Sequence, residues 1–205
     1  MTYMTTVTGH QVDLAYPAVS GAVSARTIAH HLSLINRFCG ATYRPYSVAE
    51  HSLLVCDIAA RELKLNVAGQ LAALLHDAHE AFVGDVTTPL KQAMRIDGSG
   101  FDAVNHRWAR AVRMAFKVVV ATVKDDEMLH RADLIALATE RRDLLPADLP
   151  PWPILQGIRP VTWIDLGRHD RITWQEWRDA FSERLLTLET ARDAAIRDLA
   201  VRGSA

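Results

Sequence analysis

The sequence is poor in everything that marks a secreted, membrane-spanning or nucleic-acid-binding chain. It holds two cysteines in 205 residues, Cys39 and Cys56, too few for a disulfide framework and expected in a reducing compartment. Each is expected to fill core space as a small apolar residue. The start, Met-Thr-Tyr-Met-Thr-Thr, lacks the basic and apolar regions of a signal peptide. The apolar run around Val118 to Ala121 is far too short to span a bilayer, so an intracellular protein is expected. No charge of one sign dominates: Lys plus Arg number 23 and Asp plus Glu 24. Without a basic block, a nucleic-acid backbone or an anionic membrane is not expected as the main partner.

What the chain does hold is a core-forming share of apolar residues, 49%, at a length that suits one large domain better than two. Helical periodicity dominates. Ser24 opens a helix predicted to run to about Phe38, with Ile28, Leu32 and Ile35 on one face. Ser47 and Glu50 form a capping box for a helix to about Lys64. Asn66 caps a third, expected to continue to Val83-Gly84. Thr88-Pro89 reads as cap and first residue of a short helix. Further helices are expected from about Phe101 to Val120 and from Asp125 or Asp126 to just before Pro146. Five prolines between 146 and 160 predict an extended loop over about 146–172, and a capping box at Thr173 and Glu176 opens a last helix over about 173–200. A hairpin is expected only within residues 5–14. The reading is a single all-α domain over 1–205 with its core at about 24–145.

The chemistry lies in polar residues set into apolar helical stretches. His76-Asp77 follows Leu74-Leu75 directly, where an ionised carboxylate is costly unless a cation or hydrogen bonds compensate. His51 sits in the first turn or so of the preceding helix, able to approach His76-Asp77 if the two helices are antiparallel. Asp133 enters another apolar stripe. Two imidazoles and two carboxylates make a mixed nitrogen and oxygen site for a divalent metal. Glu80, four residues after His76 and three after Asp77, is expected on the same helix face, where it can orient or activate a metal-bound water or protonate a leaving group. Asp85 can hold water or a sugar hydroxyl. Thr88-Pro89 opens free helix amides toward phosphate, with Lys91 adding charge. By spacing alone, Asp85 and Lys91 are as well read as a turn residue and a surface lysine.

The order His51, His76-Asp77, Asp133 resembles the H…HD…D pattern of HD-domain metal phosphohydrolases. More narrowly, residues 76–91 are similar to the HDAxExxxGDxxTPxK run of the bacterial 5′-deoxynucleotidase group and of related phage deoxynucleoside triphosphohydrolases. Residues 46–52 are similar to the segment that brings the first ligand histidine in that group, and Arg37-Phe38 resembles its Arg-aromatic pair. The likeness covers roughly 26–140. It implies an all-α HD-domain helical bundle, often a homodimer or higher homo-oligomer, in a cytoplasmic bacterial or phage-encoded protein. It also implies one divalent metal ion (cobalt, manganese, zinc, magnesium or iron) on His51, His76, Asp77 and Asp133. Glu80 and Asp85 match catalytic positions, Arg37 and Lys91 phosphate contacts, with Phe38 and Thr88 beside the substrate. The implied reaction cleaves the 5′ phosphoester of a deoxyribonucleotide, releasing phosphate from a monophosphate.

The chain departs from that group where Phe38 replaces the usual Trp, and the segment after about 145, with Trp152, Trp163, Trp174 and Trp177, has no counterpart. Those tryptophans read first as packing and second as a lid or dimer contact. Release of triphosphate from a dATP-type substrate breaks the same bond, with Arg44 as a candidate for a longer phosphate tail although an exposed role suits it better. A non-catalytic metal-binding regulatory module is the reading from another class. A di-iron oxygenase would need further histidines, such as His79 or His130, at the centre. His30 and His31 read as packing or polar-face residues, and Glu127 to His130 is a single copy of a motif that works in pairs.

Overall fold

The computed structural model describes residues 2–18, 21–96, 100–120 and 122–202. Among them the chain forms eight α-helices: α1 (Ala25–Leu34), α2 (Val48–Arg61), α3 (Val67–Leu74), α4 (Glu80–Val83), α5 (Thr88–Ile96), α6 (Phe101–Ala115), α7 (Val123–Leu144) and α8 (Trp174–Arg202). The only sheet among the described residues is an antiparallel hairpin of β1 (Tyr3–Thr5) and β2 (Gln11–Asp13), in register at Met4 and Val12. The fold is all-α, and no described helix is long and apolar enough to cross a membrane.

α2 is the axis of the bundle. Its residues from Val48 to Cys56 are all buried, the pattern of a helix covered on every side, and it packs on α1, α3, α7 and α8. On one flank Ile28, Leu32, Leu53, Leu71, Trp108, Phe181 and Leu185 form the larger core. On the other, Tyr46, Val55, Ile58, Ala136, Leu144 and Leu166 form a second. The Trp108 indole donates to Leu14 O and stacks on Phe82, fastening the segment after the hairpin and α4 to α6.

Several boundaries differ from the sequence expectation for visible reasons. α1 stops at Leu34, and Phe38, Cys39 and Gly40 follow with positive φ in a tight turn; Cys39 is therefore exposed, and only Cys56 is a core thiol. α2 ends at Arg61, before Lys64, which takes the left-handed conformation. The helix expected across 67–83 breaks in two, because the His76 imidazole donates to Ala73 O and tight turn bonds carry the chain to α4. α6 ends at Ala115 rather than Val120, closed by left-handed Lys117 and the bond from Val118 N to Arg113 O. The Ala121 end of the apolar run lies outside the described residues. Thr122, not Asp125 or Asp126, caps α7, with Asp125 answering from the third helical position. Thr88 is already helical in α5.

The loop between α7 and α8 holds two short 3-10 turns, Pro153–Leu155 and Leu166–His169. It is tied down by the end of α7: Arg142 donates to Val161 O and Ile164 O, and Asp143 accepts from Leu166 N. The tryptophans pack or bridge, as Trp163 does by donating to Glu62 and lying under Arg61. α8 itself completes the main core. Leu185→Ala is expected to cost about 2–5 kcal/mol, whereas Leu186→Ala should change stability by no more than about 0.5 kcal/mol. Leu185 is fully buried and Leu186 is 66% exposed. Chemical denaturation of the two variants checks the seating of α8.

Candidate metal centre

Four donor residues meet where α2, α7 and the turn after α3 converge. His51 comes from the first turn of α2, which begins where Ser47 Oγ accepts from Glu50 N. Glu50 does not return the bond. Its buried carboxylate accepts from Arg44 at 2.6 and 2.8 Å and from His169 Nδ1 at 2.9 Å, so it fastens the loop before α8 to α2. Arg44 is spent on that pair and on Leu166 O. It is not an exposed cation.

The two imidazoles are oriented alike. His51 Nδ1 lies 2.5 Å from Glu140 Oε1, and His76 Nδ1 lies 2.8 Å from Ala73 O. Both oxygens are acceptors, so in the neutral imidazoles each Nδ1 carries the proton and each Nε2 presents a lone pair. Those Nε2 atoms are 3.2 Å apart. Asp133 Oδ1 stands 3.3 Å from His51 Nε2 and 3.9 Å from His76 Nε2, and Asp77 Oδ2 stands 3.5 and 3.2 Å from the same atoms. Lone pairs converging like this repel unless a proton or a metal cation lies among them. Ligand atoms each about 2.0–2.2 Å from one ion fall about 3–4 Å apart, so the spacing fits. His51, His76 and Asp133 form a cluster able to hold a metal ion, and Asp77 borders it.

Charge makes the same case. Burial opposes ionisation of Asp77, Asp133 and Glu140, yet neighbouring imidazoles, and Arg37 beside Glu140, hold all three below the ordinary carboxylate range. Burial likewise opposes a charged His51 and His76, and Arg37 adds to that at His51, but the carboxylates push both upward. With neutral imidazoles, Asp77, Asp133 and Glu140 outnumber the one guanidinium among them, Arg37, an imbalance that a divalent cation would offset. Metal binding would displace protons from the histidines.

The other residues singled out in the sequence are distributed around this cluster. Arg37 reaches Asp77 at 3.6 Å and Glu140 at 3.3 Å, and its guanidinium lies 5.4 Å from the Phe38 ring centre. Glu80 opens α4, 3% exposed, with Oε2 lacking any hydrogen-bond partner. Burial, then the charges of Asp77 and Asp85, raise its pKa well above the usual carboxylate value. Asp85 follows Gly84, whose φ of +79° turns the chain at the end of α4. Its pKa is raised too, by burial against the pull of Arg37. Lys91 stands within electrostatic reach of both carboxyls. Thr88 is exposed, and among the described residues no hydrogen bond or ion pair joins it to the cluster. His31 donates to Ala81 O, anchoring α4, while its Nε2 accepts from Val7 N.

Glu140 is the residue that sequence reasoning missed. It is fully buried and accepts from His51 Nδ1, Tyr46 Oη at 2.9 Å and Arg37 Nη2. Its signal was its place seven residues, or two turns, after Asp133 on the same helix, hidden by the following Arg141-Arg142. A carboxylate behind a ligand histidine fixes its tautomer and raises its basicity. Glu140→Ala is therefore expected to lose about 10–100-fold in affinity for cobalt or zinc, with Glu140→Gln recovering part of the loss. Titration of metal into chelator-stripped protein measures both.

No family model matches this chain. The chain is 36% identical over 137 residues to the uncharacterized protein YfdR of Escherichia coli (strain K12), spanning 66% of this chain and 68% of YfdR. It is 35% identical over 144 residues to the uncharacterized protein RCAP_rcc00048 of Rhodobacter capsulatus, spanning 67% of this chain and 70% of that protein.

Proposed function

The chain belongs to the family that includes YfdR and RCAP_rcc00048, and within that family we propose that it is a divalent-metal-dependent phosphohydrolase of the HD-domain type. Its proposed substrates are deoxyribonucleoside monophosphates, cleaved to deoxynucleoside and phosphate. The observation that carries the reading is the pair of His Nε2 lone pairs turned toward each other between Asp77 and Asp133, with a buried, unpartnered Glu80 carboxyl alongside. The resemblance of residues 76–91 to the deoxynucleotidase run supplies the substrate class.

A divalent ion held by His51, His76, Asp77 and Asp133 would supply Lewis acidity and a water of lowered pKa. The rest belongs to the chain. Hydrolysis forms a bond from the water oxygen to phosphorus and breaks the bond from phosphorus to the 5′ oxygen. Glu80, its proton retained by burial and by Asp77 and Asp85, gives that proton to the departing 5′ oxygen and recovers one from the incoming water. Arg37 is held by two long contacts and Lys91 has no ion-pair partner among the described residues, so both can neutralise charge on the phosphoryl oxygens. The bidentate Arg44–Glu50 pair removes the cation that a triphosphate tail would use, which favours the monophosphate.

The test is a turnover screen of chelator-stripped protein resupplied with cobalt, manganese, zinc or magnesium, against each deoxy- and ribonucleoside mono- and triphosphate. Nucleoside plus phosphate from the deoxy monophosphates is expected. Nucleoside plus triphosphate would replace the proposal with a triphosphohydrolase, and no turnover with any metal would leave a metal-binding module. Asp77→Ala and Glu80→Ala are expected to fold and to lose about 10²–10⁴-fold in turnover. Full activity in the Glu80 variant would remove it from the chemistry.

A further inference from the structure

α4 is four residues long, Glu80 to Val83, and His79 at its start supplies no side-chain cap. A single turn does not hold its own place, because helix formation is cooperative and short helices are marginal alone. Its position is set by what grips it from outside. Phe82 stacks on Trp108 with ring centroids 4.1 Å apart, and Trp108 Nε1 donates to Leu14 O. His31 of α1 donates from Nδ1 to Ala81 O at 2.8 Å, across 50 residues of sequence. Ala81 O belongs to the last turn, where carbonyls have no partner within the helix. His31 Nε2 in turn accepts from Val7 N, in the turn of the hairpin, at 3.2 Å. Next to it, Thr8 Oγ1 bonds Thr27 Oγ1 of α1 at 3.2 Å. One imidazole, with both nitrogens committed, thus joins the hairpin tip, α1 and α4.

The contact ends one residue from Glu80. That carboxyl is buried and its Oε2 has no hydrogen-bond partner, so its aim follows the backbone of α4. Resting on the phosphohydrolase reading above, we propose that His31 is a positioning residue for Glu80, its imidazole holding the Ala81 carbonyl so that the adjacent carboxyl stays beside the metal cluster. The two ring bonds of His31 run to Val7 and Ala81, and neither reaches His51, His76, Asp77 or Asp133. His31 therefore acts on proton handling and leaves metal binding alone. The lever is large for so small a contact, since a shift of about 1 Å at a reacting group costs on the order of 10²-fold in rate. The hairpin, which lies far from the donors in sequence, becomes part of the support of the site.

The measurement is steady-state turnover of the cobalt-loaded full chain on the deoxynucleoside monophosphate it hydrolyses fastest, with cobalt titration alongside. Asn places its amide N–H where imidazole Nδ1 lies, and Gln reaches the position of Nε2. His31→Gln is expected to lower kcat about 10–100-fold, with KM and cobalt affinity within about twofold of wild type. His31→Asn is expected to recover most of that loss. In a Glu80→Ala background His31→Gln should cost nothing further, because residues that act as a unit are not additive. His31→Ala gives the same reading if the Gln variant does not fold. Wild-type kcat in His31→Gln, an undiminished loss in the Glu80→Ala background, or a matching loss of cobalt affinity would overturn the positioning role. Absence of turnover in the wild-type chain would instead overturn the hydrolase reading. The anchor is then read by hydrogen exchange of the Gly84 amide, which donates to Glu80 O. Exchange should quicken in His31→Gln and stay at the wild-type rate in His31→Asn, and equal rates in the two variants would overturn the anchor.

Discussion

The centre hangs on one buried contact, the bond from His51 Nδ1 to Glu140 across the interface of α2 and α7. A carboxylate with no access to water is tolerable only when its charge is answered, and Glu140 is answered three times, by His51, Arg37 and Tyr46. The same oxygens therefore set the tautomer of a histidine in the candidate metal cluster and the position of the guanidinium that faces Asp77. Remove the carboxylate, and the imidazole is free to turn while the Arg37 charge is left buried beside it. The candidate metal cluster and the Arg37 guanidinium are in this sense one network with a shared anchor.

That network explains why the bundle is arranged around α2. A helix with Glu50, His51 and Ser52 buried in its first turns would be unstable in an apolar surround. Here α7 brings Glu140 to His51, while Arg44 and His169 bring their donors to Glu50. The two cores lie on either side of this polar seam. The apolar flanks fix the helix positions, and the seam fixes rotation, since a small turn of α2 or α7 would break several charged bonds together.

Much of this was legible in the residues themselves. Periodicity placed α2, α7 and α8 within a few residues, and Ser24, Ser47, Asn66 and Thr173 all receive the cap bonds expected of them. The four donors stood out because imidazoles and carboxylates interrupted apolar stripes. The break at His76-Asp77 was not legible, since tight turns continue the spacing of three that a helix shows and the apolar pattern runs through. Glu140 and the Glu50–His169 contact were hidden for a different reason. A Glu before two arginines looks like a solvated helix end, and a Glu three residues after a Ser looks like a cap, because pairings across 89 and 119 residues, His51 with Glu140 and Glu50 with His169, leave no local trace.

The order in which the chain is made adds a consequence to the position of α8. Phe181, Leu185 and Leu188 close the main core against α1, α2 and α3, yet they are translated after every donor of the metal cluster. A growing chain therefore presents Leu32, Leu53 and Leu71 to its surroundings until α8 has left the ribosome. Exposed apolar surface of that kind is what chaperones hold and what drives aggregation. On this topology the donors on α2, α7 and the turn after α3 are made before the helix that closes the main core.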